Sequence, residues 1–185
     1  MKRIGLCTLL LLLLPCLCHA AKTGLFSAQV MSGYVVSPVI KPRRRPDLNY
    51  MMLDARIEWL RLNRNFSSYM ELTYSKTTKG ARGYMAGFTF LVRYNFNHST
   101  SLNPYLQFGA GLLYNDIYKD RSQDLIGNNI EFNPQLSIGI SHRISSHIFL
   151  DTEAIFHHVS NAGLKRGRNV GVNGIGLLVG ITYAF

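Results

Sequence analysis

Residues 130–143 read Ile-Glu-Phe-Asn-Pro-Gln-Leu-Ser-Ile-Gly-Ile-Ser-His-Arg. Ile130, Phe132, Pro134, Leu136, Ile138 and Ile140 fall on one side of an extended chain. Glu131, Asn133, Gln135, Ser137, Gly139, Ser141 and Arg143 fall on the other. Side chains alternate across a strand, so this pattern predicts a β-strand with one apolar and one polar face. Residues 84–96 repeat it, with Tyr84, Ala86, Phe88, Phe90, Val92, Tyr94 and Phe96 opposing Met85, Gly87, Thr89, Leu91, Arg93 and Asn95. From residue 25 onward this period dominates. Eight segments carry it: 25–36, 48–61, 67–76, 83–96, 103–115, 129–143, 147–160 and 172–185. Several are longer than the ~5–6 residues usual for soluble strands. They suit tilted strands that cross a bilayer with a margin.

The polar faces carry charges in mid-strand: Asp54, Arg56, Glu58, Glu71, Arg93, Glu131, Asp151 and Glu153. An Arg facing lipid at mid-depth costs ~2–4 kcal/mol, so these residues are expected to point inward and pair across a small lumen. Eight strands make a barrel narrow enough for side chains to fill. The expected fold is an all-β, eight-stranded antiparallel transmembrane β-barrel. The soluble alternative is a lipocalin-like barrel with its apolar face inward. Against it, the polar faces are rich in small and charged residues, a poor outer coat. The chain also ends Gly180-Ile181-Thr182-Tyr183-Ala184-Phe185, which resembles the assembly signal of bacterial outer-membrane barrels. Trp59 and Tyr50, Tyr69, Tyr74, Tyr84, Tyr105, Tyr114 and Tyr183 are expected to include the interfacial aromatic girdle.

Residues 1–20 read as a secretory signal: Lys2 and Arg3, an apolar centre over residues 9–14, and a small-residue exit at Ala20. Residues 21–185 then form the single barrel domain. All three cysteines, Cys7, Cys16 and Cys18, leave with the signal, which excludes a disulfide framework, thiol catalysis and Cys-based metal sites. Long and short connections alternate, as outer-membrane barrels require. The outer loops are expected near 37–47, 77–82, 116–128 and 161–171. With Lys76 at a strand edge they hold twelve basic residues against four acidic ones. That excess equals the net charge of the chain without residues 1–20. A basic outer rim fits a phosphate-bearing outer leaflet, that is, lipopolysaccharide.

The seventh segment is the unusual one. Parity assigns Asp151, Glu153 and His157 to the lumen. Ile148, Leu150, Thr152, Ala154 and Phe156 face lipid, and the same face continues into His158 and Ser160. A hydroxyl and an imidazole two residues apart on one strand face come within hydrogen-bond reach. That is the minimum pairing for an activated serine, in which His takes the proton and Ser attacks. The pair lies at the outer end of the strand, at the depth of lipid headgroup linkages. The alternative is that two polar residues merely mark the interface, where polarity costs little. Neighbouring His157 and His158 point to opposite faces and do not make a metal site. His98, His142 and His147 lack ligand spacing, and no metal or organic cofactor is expected. Nucleic acid is not expected as a partner outside the cytoplasm.

The stretch His158-Val159-Ser160-Asn161-Ala162-Gly163-Leu164, followed by Asn169-Val170-Gly171-Val172-Asn173, resembles the lipid A 3-O-deacylase family of outer-membrane acyl hydrolases. The resemblance implies an esterase that removes the acyl chain at the 3-position of lipid A. It implies Ser160 as nucleophile, His158 as base, and Asn161 with the backbone around Gly163 as oxyanion donors. The family's carboxylate, which orients the His, falls at Asn173 here, so the third member is an amide. Asn169 is a lesser candidate. Lys165, Arg166 and Arg168 are expected to hold the substrate's phosphates. The expected location is the outer membrane, with lipopolysaccharide and the outer-membrane assembly machinery as partners and a homodimer left open. The rival readings are a non-enzymatic barrel, acting in adhesion or envelope integrity, and an outer-membrane phospholipase.

Overall fold

Nine extended segments realise this alternation in the computed structural model, which describes residues 26–37, 47–96, 101–164, 167 and 170–185. They are β1 (Ser27–Val36), β2 (Asn49–Arg61), β3 (Phe66–Lys79), β4 (Tyr84–Asn95), β5 (Leu102–Asn115), β6 (Ile130–Phe132), β7 (Gln135–Arg143), β8 (Ile148–Val159) and β9 (Val172–Ala184). Apart from β6 and β7, which do not pair with one another, each pairs antiparallel with its chain neighbours, and β1 pairs with β9, which closes the sheet. β6 and β7 both pair with β5, so together they form one stave of an eight-stave barrel. The break between them is Asn133 and Pro134, and alternation of exposure runs through it unbroken. Proline has no N–H for the ladder, but its carbonyl still accepts from His158 N–H at 3.0 Å.

The predicted segments match these strands to within a residue or two, except at β3. That strand runs to Lys79 rather than 76, and the expected 77–82 loop shrinks to a tight connection at 80–83. The predicted signal at 1–20 lies outside the described residues, as do Lys165, Arg166, Arg168, Asn169 and His98.

Facing decides between the two barrels considered. Leu72 is 67% exposed and Ile138 61%, while Arg56 is 1% and Glu153 0%. An apolar coat around a charged interior is the inverse of a soluble protein and fits lipid outside. Short turns at 62–65 and 144–147 mark the periplasmic end, and the longer 116–129 and 160–171 connections mark the outer end.

Inside, the periplasmic half is a polar network centred on Arg56. Its guanidinium donates to Glu71 Oε2 at 2.6 Å and to Glu153 at 2.8 and 3.0 Å. Tyr105 donates to Glu153 at 2.9 Å, and its ring lies where a side chain at Gly139 would otherwise stand. Arg93 sits between the rings of Tyr69 and Tyr105, 4.4 and 4.0 Å from their centroids. The expectation of inward, mutually paired charges is met here.

The outer half departs from it. Met31, Val35, Tyr50, Met52, Met85, Leu113, Ile155, Val159 and Leu178 turn inward and pack under Leu48, Ile117, Leu125 and Ile126 from the loops. An apolar cap thus fills the mouth. Tyr50, Tyr69 and Tyr105, expected among girdle residues, are buried in the lumen. Their strand parity, odd with respect to Trp59, Tyr74, Tyr84 and Tyr114, put them there.

Candidate active site

The site grows from the outer end of β8. His158 spends its backbone N–H on Pro134 O, on the side away from β9. Toward β9 it therefore stands in a non-hydrogen-bonded pair, the closer of the two antiparallel geometries. Its partner there is Asn173. Ser160 continues the strand by one bridge to Phe132, through bonds of 2.8 and 3.0 Å. The ladder thereby holds the hydroxyl on the same face as His158.

The three polar side chains form one relay. Ser160 Oγ lies 2.8 Å from His158 Nε2, and His158 Nδ1 lies 2.6 Å from Asn173 Oδ1. An amide oxygen accepts only, so Nδ1 carries the proton and Nε2 is left to accept from the Ser160 hydroxyl. All three residues are half-buried and on the outward face. Exposed Phe132, Phe156 and Ile175 flank them on that face. His157, one residue away, points the other way. It is buried in the lumen, with its Nδ1 2.6 Å from the Tyr50 hydroxyl. Asp151 and Glu153 are likewise buried inside the wall, separated from His158 by the sheet.

Beyond Ser160 the chain turns sharply. Ala162 takes φ 53 and Gly163 φ 77, and left-handed backbone at a non-glycine residue costs of order 1–3 kcal/mol. The turn brings Ala162 N–H to 3.4 Å from Ser160 Oγ. Of the two expected oxyanion donors, Gly163 gives its N–H to Asn161 Oδ1 at 2.9 Å, and Asn161 is buried. Among the described residues the backbone N–H that reaches the hydroxyl is that of Ala162, a motif residue to which the sequence assigns no role. Its unusual φ has no signature in an alanine.

Gly171, a motif residue with no role assigned from sequence, also lies against the pair. It has φ 82, and a methyl there would lie 3.2 Å from both His158 Cε1 and Ser160 Cβ. Its N–H donates to Leu125 O at 2.9 Å, and Val170 N–H donates to Asp124 O at 3.0 Å. The 160–171 connection is therefore laced to the 116–129 loop, and through Leu125 and Ile126 to the apolar cap.

A model of the family described as lipid A 3-O-deacylase (PagL) matches residues 49–182, from the start of β2 nearly to the end of β9. Among solved structures, the outer membrane enzyme PagL is similar at 19% identity and TM-score 0.65, over 82% of this chain and 97% of that one. Neisserial surface protein A is similar at 14% identity and TM-score 0.59, over 88% and 97%. The outer membrane protein OprG from Pseudomonas aeruginosa is similar at 13% identity and TM-score 0.51, over 86% and 96%. No match is found among curated protein sequences. At these identities the solved structures speak for the barrel fold, while the family model speaks for lineage. The chain belongs to the lipid A 3-O-deacylase (PagL) family of outer-membrane hydrolases.

Proposed function

We propose that this protein is a serine esterase that releases the acyl chain ester-linked at the 3-position of lipid A. Ser160 is the nucleophile, His158 the general base, and Asn173 the group that orients the imidazole. The observation that carries the reading is the facing of the relay: a hydroxyl bonded to an imidazole on the lipid side of the wall, at its outer end. A nucleophile there meets membrane lipids and little else.

In the first half-reaction His158 Nε2 takes the Ser160 proton as Oγ attacks the ester carbon. The tetrahedral oxyanion collapses, the bond to the sugar oxygen breaks, and His158 returns the proton to that oxygen. An acyl-Ser160 ester remains. Water, deprotonated by His158, then attacks it and frees the fatty acid and the serine. Ala162 N–H, 3.4 Å from Oγ, is the backbone donor we assign to the developing oxyanion. Gly163 N–H joins it once it leaves Asn161 Oδ1. Such a donor is worth ~3–4 kcal/mol in other acyl hydrolases. Lys165, Arg166 and Arg168 follow the nucleophile by a few residues and supply cations for the substrate's phosphates. Export through segment 1–20 and recognition of the C-terminal segment by the outer-membrane assembly machinery complete the reading.

Mass spectrometry of lipid A from cells expressing the protein tests it. Lipid A is expected to lose one acyl group, and Ser160→Ala is expected to abolish the loss. Unchanged lipid A with altered phospholipid would instead assign a phospholipase. Continued deacylation by Ser160→Ala would remove the serine mechanism.

A further inference from the structure

We infer that the β3–β4 hairpin is a second seat for the phosphate-bearing glycolipid of the outer leaflet, distinct from the His158–Ser160 site and without a part in the chemistry. The hairpin's own chemistry carries the inference; that it is the second of two seats rests on the proposed function.

A hollow of about 370 Å³ lies against the hairpin, lined by Lys76, Thr77, Thr78, Lys79, Gly80 and Arg82. Its size falls within the ~300–1,000 Å³ of small-ligand sites, but such sites are mostly apolar, whereas this lining is cationic and hydroxylic. Lys79 is ion-paired with Asp47 at 2.7 Å. Among the described residues neither Lys76 nor Arg82 is paired with a carboxylate, and both are exposed. Two uncompensated cations on a hydroxyl-lined floor fit a phosphate monoester.

The platform is held in place by its neighbours. Thr77 Oγ1 donates to Gly83 O at 3.0 Å and accepts Gly83 N–H at 2.8 Å. Thr78 Oγ1 donates to Asn49 O at 3.2 Å and lies 2.9 Å from the Tyr34 hydroxyl. Gly80, at φ 89, packs its backbone directly on Asp47 O.

What lies beneath selects a lipid over a soluble anion or an acidic protein. Tyr74, Tyr84 and Tyr114 form a row of outward rings with centroids 6.1 and 6.2 Å apart. Such rings sit at headgroup depth. Below them Met70, Leu72, Phe88 and Phe90 give an exposed apolar wall. From the rim downward the surface is cationic, then amphipathic, then apolar, which is the order of a phosphorylated glycolipid from phosphate to acyl chain.

Position makes this a second seat. The barrel has eight staves, the hairpin joins the third and fourth, and the relay spans the seventh and eighth. They lie half a circumference apart, at least ~19 Å of wall at the usual strand spacing, with the capped mouth between them. A lipid A whose ester lies at Ser160 cannot also place its phosphate in this hollow.

The test is native mass spectrometry of the detergent-solubilised Ser160→Ala protein, titrated with bis-phosphorylated lipid A and, separately, with lipid A stripped of phosphate. Two bound bis-phosphorylated molecules are expected. Lys76→Gln with Arg82→Gln should weaken the second binding event roughly 30-fold, and phosphate-free lipid A should not fill the seat. Lys76→Arg with Arg82→Lys keeps both charges and should still bind two molecules. A second molecule that persists in the Gln variant, or that binds equally without phosphate, overturns the inference. So does binding of a single molecule that the Gln variant retains; a single molecule that the Gln variant loses would leave the hairpin seat standing and count against the Ser160 seat. Cleavage of lipid A by the Ser160→Ala protein would show in the mass of the lipid and would count against the esterase reading alone.

Discussion

Asn173 stands directly across the β8–β9 ladder from His158, with its amide oxygen 2.6 Å from the imidazole Nδ1. It holds the ring in the tautomer that leaves Nε2 open to Ser160, but as a neutral group it would give little help to the imidazolium that the proposed mechanism forms during attack. Asn173→Asp or Asn173→Glu restores a charge at that point. In serine proteases the reverse change lowers the rate about 10⁴-fold, through the wrong tautomer. Here the tautomer is already right, so only the charge is missing. A rise in kcat of roughly tenfold or more is expected for a carboxylate at 173, and a clear fall for Asn173→Ala, both measured on detergent-dispersed lipid A. A carboxylate variant slower than the parent would show that the amide itself is required.

Removing either member of the hydroxyl–imidazole pair should cost nearly as much as removing both, because they act as one unit. Ser160→Ala and His158→Ala are each expected to lower kcat by ~10⁴–10⁶-fold, and the double variant little further. Fatty-acid release followed by mass spectrometry reads this. Independent, multiplicative losses would mean that the two side chains serve different steps.

The architecture and the meeting of His158 with Ser160 on the outward face are legible for one reason: both follow from parity along single strands. Inward Arg56 and outward Ser160 need no knowledge of distant residues. Parity cannot see across the barrel or into loops. The apolar cap depends on Leu125 and Ile126 folding over Met52 and Leu113, a tertiary fact with no local period. Tyr50 was grouped with the girdle although its own parity with Met52 and Asp54 placed it inside. The claim of Asn161 on the Gly163 N–H, and the exposure of Ala162 N–H to the serine, rest on turn dihedrals that residue types there do not announce.

Gly171→Ala tests the floor of the site. The added methyl would meet His158 Cε1 and Ser160 Cβ at 3.2 Å, and the positive φ adds ~1–2 kcal/mol of backbone strain. The barrel should still form, since its ladders are untouched. Deacylation is expected to drop at least tenfold through kcat. Retained activity would mean that the pair has room to shift without penalty.

Arg56 is held by Glu71 and Glu153, and all three side chains are fully buried. Arg56→Ala leaves those carboxylates facing one another without a counter-charge, which is expected to destabilise the barrel by about 3–5 kcal/mol. The urea midpoint of unfolding from lipid vesicles reads the change. Tyr50→Phe removes the bond to His157 while keeping the ring, and about 1–3 kcal/mol is expected. Equal midpoints for the Arg56 variant and the parent would place the stability of the cylinder in its ladders alone.

Because the Ser160 hydroxyl opens sideways from a cylinder whose mouth is filled by apolar side chains, a lipid reaches it along the wall and not through the lumen. Its encounters are collisions in two dimensions, set by how fast neighbouring glycolipids drift along the wall. Under the proposed function, the fatty acid is released directly into the medium that dissolves it. Turnover should therefore track the fluidity and crowding of the leaflet: a divalent cation that cross-links neighbouring headgroups would slow the enzyme without touching a single one of its residues.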